Sequence, residues 1–354
     1  MTATTVNATG VLFEADAEAL DQDVSQKKYT DGRKLQLVWR NIVLFALVHL
    51  FSLYGVWLLF TEATWTTFLA FPVSVAFSIV GISGGAHRLY AHRTFKAKVP
   101  LQLILLFLDT FAFQDAVYYW ARDHRVHHKY TETDADPYNS ERGWFFSHIG
   151  WLCVRKHPDV VAKGKEIDLS DLKQDRLVMF QKKYFLVLMP LICFVMPTVL
   201  PMYCWGESLK VSWHVLALLR WCLNLNIIWL VNSSAHMFGM RPYDKKISPT
   251  DERFLMFLRM GEGYHNYHHV FPWDYKSAEL GPYSRDFTTR FINFFAWLGW
   301  AYDLKSVSPD MVRRRVLRTG DGSHPVWGWG DKDLQKEDVV DSTITHQRKI
   351  TAGS

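Results

Sequence analysis

Cysteine is scarce in this sequence. The 354 residues hold four, Cys153, Cys193, Cys204 and Cys222, and none forms a CxxC pair. This excludes a zinc-ribbon or thioredoxin-type motif and a disulfide framework. An excess of one charge is missing too: 40 Lys and Arg against 35 Asp and Glu leave +5, too mild to imply a nucleic-acid partner. No internal repeat stands out beyond two similar histidine motifs. Aromatic residues, in contrast, make up 15% of the chain, with 24 Phe, 15 Tyr and 15 Trp, which excludes wholesale disorder. The mean hydropathy of −0.06 averages over a strong segregation of apolar from charged stretches.

Four stretches, 42–60, 65–83, 184–205 and 213–231, each approach the ~20 apolar residues that a bilayer crossing requires. Short connections at 61–64 and 206–212 make them two helical hairpins. Those connections carry only Glu62, Glu207 and Lys210, whereas the opposite flanks carry Arg40, Arg88, Arg93, Lys96, Lys98, Arg241, Lys245 and Lys246. The positive-inside rule therefore predicts both termini and the long middle segment in the cytosol. A fifth apolar run at 101–113 is short for a span and holds Asp109, which suits an in-plane or re-entrant helix. The expected fold is an all-α integral membrane protein: four transmembrane helices with a cytosolic helical cap. Residues 1–28 read as an acidic mobile segment with no cleavable signal peptide, and 330–354 as a charged tail.

Nine of the 15 histidines fall in four groups: His87 and His92; His124, His127 and His128; His236; and His265, His268 and His269. Positions i, i+3 and i+4 share a helix face, so each HxxHH motif is expected to present three imidazoles in one direction. The i, i+5 pair His87/His92 does not share a face of a regular helix and predicts a helix end or a local distortion. Neutral imidazole binds Fe, Cu, Zn and Ni well, and nine rings suit two metals with an open or water-filled position. All nine lie on one side of the membrane provided that the 101–113 run does not cross it. The other six, His49, His148, His157, His214, His324 and His346, read as surface or packing residues, with His157 beside Arg155 and Lys156 suited to an anion. Asn232, four residues before His236, either holds a metal-bound water, orients an imidazole, or packs between helices.

These stretches, GAHRLYAH (85–92), WARDHRVHHKYTETDADPYN (120–139), GWFFSHIGWLCVRKHP (143–158), NSSAHMFGMRPYD (232–244) and GEGYHNYHHVFPWDYKSAEL (261–280), resemble the membrane acyl-CoA desaturases of the stearoyl-CoA desaturase family, insect members above all. The resemblance spans about 29–329. It implies a multi-pass enzyme of the endoplasmic reticulum that inserts a cis double bond into a saturated C16 or C18 fatty acyl-CoA. It would use two Fe ions, O2 and electrons from cytochrome b5, itself reduced by NADH-cytochrome b5 reductase. The resemblance implies that the nine histidines are the metal ligands, that Asn232 acts through a water, and that zinc can replace iron in purified protein. It places Gln114, Trp120 and Trp229 along an acyl tunnel, and Asn41, Arg122, Asp123, Arg155 and Lys156 at the CoA headgroup. Arg155 and Lys156 equally suit a membrane anchor. Val75 and Ile79 are expected near the methyl end. No residue need act as a general base on the chain, since an unactivated methylene requires redox chemistry from a cofactor.

The expected double bond is Δ9, with a Δ11 enzyme of pheromone or cuticular lipid synthesis second. A membrane di-iron fatty acyl hydroxylase and a histidine-rich metal transporter are the rival classes; the first would yield an alcohol, and the second normally sets its ligands at the bilayer midplane.

Overall fold

The computed structural model describes residues 35–257, 262–279 and 286–327. The sequence readings for 1–28 and 330–354 lie outside them. Four helices are long and apolar enough to cross a membrane: α1 (Trp39–Thr61), α2 (Trp65–Ala91), α5 (Arg176–Trp205) and α6 (Leu209–Met237). They pair as two hairpins. At the connected ends Glu207 joins the pairs, accepting from the Thr64 amide at 3.0 Å and the Thr64 hydroxyl at 2.8 Å, while Lys210 meets Glu62 at 2.5 Å.

Three helices outrun their apolar windows, for local reasons. α2 continues past Ser83 by widening into π winding over Gly81–Ala91, where every residue is buried. α5 begins at Arg176, capped by the Asp175 side chain. Lys182 and Lys183 break the apolar run, yet Val178 and Gln181 already pack inward. α6 runs on to Met237, so Asn232 and His236 belong to the helix itself.

The 101–113 run forms α3 (Val99–Ala112), which meets α4 (Val117–Tyr130) at 82°. α3 lies antiparallel along α2, with Leu105 over Gly85 and Leu108 over Gly81. At Gly81 even a methyl group would lie 2.3 Å from the Leu108 carbonyl carbon, so glycine is what lets the two helices touch. α3 and α4 together form a bent pair of the kind a broken span or a re-entrant segment makes. The turn between them uses left-handed backbone at Phe113 (φ 47°) and Asp115 (φ 93°).

α7 (His265–Val270) and α8 (Phe287–Trp297) complete the cap. α8 exposes Phe294 and Trp297 on its outer face. A two-residue antiparallel ladder joins β1 (Lys96–Ala97) to β2 (Ala301–Tyr302). Ile82, Ala112 and Ile228, with Ile79 and Trp120 against them, form an apolar group in the bundle where α2, α3, α4 and α6 meet.

Candidate metal centre

The four histidine groups converge at the ends of α2 and α6 remote from the connecting loops. In the π winding of α2 the His92 amide bonds the His87 carbonyl at 3.0 Å, an i→i+5 step. The wider turn brings the two rings to 4.9 Å, which resolves the i, i+5 spacing noted in the sequence. α4 contributes His124, His127 and His128, α6 contributes His236, and α7 contributes His265, His268 and His269.

The nine side chains form two clusters. His87, His92, His124, His128 and His268 bring their nitrogens within 4.8 Å of one another; His127, His236, His265 and His269 do the same. Each HxxHH motif is thus divided, contrary to the expectation that its three rings point one way. The i, i+4 pair of α4 enters the first cluster and its i+3 ring the second; α7 does the reverse. A helix face is broad enough for the middle ring to lean to one side, and the two motifs share both clusters by this means.

The donor set fits metal ions. The His268 Nε2 lies 3.0 Å from both His87 Nε2 and His128 Nε2, and the His265 Nε2 lies 2.9 Å from His236 Nε2 and 3.1 Å from His269 Nε2. One ring nitrogen cannot satisfy two such neighbours with a single proton. Two donors each about 2.1 Å from a shared cation and at right angles to one another sit about 3.0 Å apart, which matches these spacings. Burial first, then the mutual repulsion of the imidazoles, holds His92, His124, His128, His265, His268 and His269 well below the ordinary histidine range. They are neutral, the form a metal requires.

Three carboxylates orient the rings from behind. Glu262 lies 3.2 Å from His87 Nδ1, Asp136 spans His127 Nδ1 at 2.9 and 3.0 Å, and Glu132 lies 2.8 Å from His236 Nδ1. Each accepts the Nδ1 proton and leaves Nε2 facing the cluster. Burial alone would raise Glu262, but its contact with His87 and the Arg88 guanidinium beyond hold it down to about 2. Glu132 is likewise held to about 2, where the hydrogen bonds from His236 and the Ser140 hydroxyl outweigh burial. Arg88, fully buried, carries the link outward to Asp286 (3.3 Å) and Thr289 (2.9 Å) at the start of α8. These carboxylates were not singled out from the sequence. The signal was available: a ligating imidazole needs an acceptor on its other nitrogen, and Glu132, Asp136 and Glu262 all lie inside the histidine stretches.

A cavity of about 30 Å³ opens between the clusters and the apolar group, lined by Ile82, Ser83, Trp120, Ile228, Val231, Asn232, Glu262 and the rings of His87, His124, His127 and His265. Trp120 stacks on His124, with centroids 4.9 Å apart. Trp229 is buried against Phe45 at 5.3 Å. Gln114 sits in the α3–α4 bend with its amide nitrogen buried. Ile79 belongs to the apolar group, and Val75 is buried one turn further along α2. The headgroup candidates gather from three segments. Asp123 bonds Arg122 at 2.7 Å and Lys156; Asn41 donates to the Leu152 carbonyl at 2.8 Å; the Arg155 amide reaches Gln36 at 2.9 Å while its side chain is exposed.

Residues 63–282, more than half the chain and including all nine histidines, match the family model described as fatty acid desaturase. The chain belongs to this family. It is 56% identical to the acyl-CoA Delta-9 desaturase of Acheta domesticus over 349 residues, 96% of this chain and 97% of the relative. It is 52% identical to the acyl-CoA Delta12-desaturase of the same organism over 346 residues (96% and 97%). It is 50% identical to the acyl-CoA Delta(11) desaturase of Trichoplusia ni over 348 residues (98% and 99%). In this desaturase the two clusters, held by carboxylates and facing an apolar cavity, are the features the family match covers; Asn41 alone among the candidate site residues falls outside it.

Proposed function

We propose that this desaturase inserts a cis Δ9 double bond into saturated C16 or C18 fatty acyl-CoA, in the endoplasmic reticulum, with two Fe ions, O2 and electrons from cytochrome b5. The observation that carries the reading is the placement of two clusters of imidazoles over a largely apolar cavity. When bound, the metal pair supplies the O2-dependent redox chemistry that an unactivated methylene requires. The protein's part is positional. Glu262, Asp136 and Glu132 fix the rings; Ile82, Trp120 and Ile228 form apolar walls that hold a hydrocarbon segment and exclude water. Asn232 sits at the cavity edge beside the second cluster, suited to hold a water there. Glu262 also lines that cavity, but it is engaged by His87 and Arg88, and redox chemistry at a methylene carbon needs no side-chain base.

The anionic CoA end suits the face built from Asn41, Arg122, Asp123, Arg155 and Lys156, since guanidinium and ammonium groups pair well with phosphates. The exposed Arg155 side chain is available to such a ligand. The basic residues flanking the histidine end, against Glu62 and Glu207 at the other, support a cytosolic placement of the site and of both termini. The 56% identity to a Delta-9 enzyme supports Δ9. The Trichoplusia ni relative supports Δ11 as the second reading.

Expression in yeast lacking its own Δ9 enzyme, followed by mass-spectrometric location of the new double bond, tests the proposal. Growth without added unsaturated fatty acid and a Δ9 alkene are expected. A hydroxylated product, or a bond at another position, would sink it. His127→Ala and His268→Ala, one from each cluster, are expected to abolish product while the protein stays in the membrane.

A further inference from the structure

We infer that Arg220, Trp221 and Asn224 of α6 form a clamp on the buried end of α3, and that this clamp decides which methylene pair of the substrate stops under the metal clusters. The inference rests on the desaturase reading above. The last carbonyls of a helix have no partner within it, and in an apolar interior each needs one from elsewhere. α3 ends inside the bundle, and three successive carbonyls there are each met by α6. Arg220 Nη1 donates to Phe111 at 2.8 Å, Asn224 Nδ2 to Ala112 at 3.3 Å, and Trp221 Nε1 to Phe113 at 3.0 Å. The Trp221 and Phe113 rings also stack, 4.9 Å apart and 11° from parallel.

Arg220 is fully buried and ties this point to two neighbouring spans: Ser78 of α2 at 2.9 Å and the Cys193 carbonyl of α5 at 2.8 Å. A charge so deep in a membrane bundle is expensive, and residues of this kind mark function more often than packing. Its position at a helix C-terminus, where the carbonyl dipoles point at it, offsets part of that cost. The clamped segment stands behind the cavity wall: Ala112 packs with Ile82, Ile228 and Trp120, which line the cavity, and Gln114 follows in the bend. Letting the end of α3 slide displaces the wall residues packed on it, so the reacting carbons shift while His87, His127 and His236 stay held by their own carboxylates. The three residues are therefore positioning residues.

The test uses the full chain in the same yeast host, with iron content measured on the purified proteins. Asn224→Val and Trp221→Phe each remove one donor, and Arg220→Lys keeps the charge but loses the fork. The expected result is iron retained at the wild-type level, with the share of positional isomers other than the wild-type product raised about fivefold per lost bond. An unchanged product position in all three variants overturns the inference. So does loss of yield or iron with the remaining product unchanged, which is how a merely structural clamp would behave. A wild-type chain that makes no alkene overturns both this inference and the reading under it.

Discussion

Asp136 gives both carboxylate oxygens to one imidazole nitrogen, at 2.9 and 3.0 Å, and is itself buried. Such an acceptor fixes both the tautomer and the direction of His127, and losing it typically costs 10- to 100-fold, about that range, in metal affinity. Asp136→Asn is expected to lower retained iron after dialysis by a comparable factor. Asp123→Asn, on the Arg122–Lys156 face, is expected to keep its iron and instead raise the KM for acyl-CoA. Acid sensitivity follows from the same residues. The six imidazoles held below the ordinary value of 6.5 stay neutral in the fold but protonate in the unfolded chain, so stability is full above about pH 7 and falls as the pH drops through 6.5. Glu132 and Glu262 act lower, their contribution being lost between about 4.5 and 2. A thermal-unfolding midpoint in detergent that is flat from pH 8 to 5 would contradict this. The sequence identified the rings through their density and spacing. It did not identify their acceptors, because a carboxylate among polar neighbours looks like any solvated acid until the fold buries it.

At the scale of elements, hydropathy located the four spans because uninterrupted apolar runs of that length have few other uses. It misplaced their ends. Lys182 and Lys183 truncate α5 on a hydropathy scale, yet Lys182 lies 3.5 Å over the Tyr118 ring and the helix runs straight through. The far end of α2 reads as polar, yet its π winding is wholly buried because α3 covers it. That covering is the weakest point to disturb. A methyl on Gly81 would meet the backbone of Leu108 at 2.3–2.4 Å, and backbone, unlike a side chain, cannot rotate aside. Gly81→Ala is therefore expected to push α3 off α2 and destabilise the protein by about 1–3 kcal/mol. The check is a lowered unfolding midpoint in detergent; an unchanged midpoint would mean that the α2–α3 contact is looser than its geometry implies. The division of each HxxHH motif between clusters was not legible for a related reason: spacing fixes which face a ring leaves from, while its partners on other helices fix where it ends.

The molecule as a whole is polarised along its spans. One end holds the two hairpin connections, tied by Glu207 to Thr64 and by Lys210 to Glu62; the other holds the clusters, the carboxylates and the basic flanks. A chain with this layout orients by its Lys and Arg, since acidic residues contribute little to the choice. The two ends then face different compartments, and the proposed reaction needs the Arg122–Lys156 face on the side where acyl-CoA is soluble. Lys98, exposed just before α3, and Lys210, exposed in the second connection, report on the two sides. With Cys153 and Cys204 replaced by Ser, to remove the native thiols that are not buried, Lys98→Cys is expected to react with a membrane-impermeant maleimide in sealed microsomes. Lys210→Cys is expected to react only after the membrane is permeabilised. The reverse order would place the clusters on the lumenal face, away from the acyl-CoA and the electron donor that the proposed reaction needs, and labelling of both in sealed vesicles would contradict the separation of the two ends by the membrane.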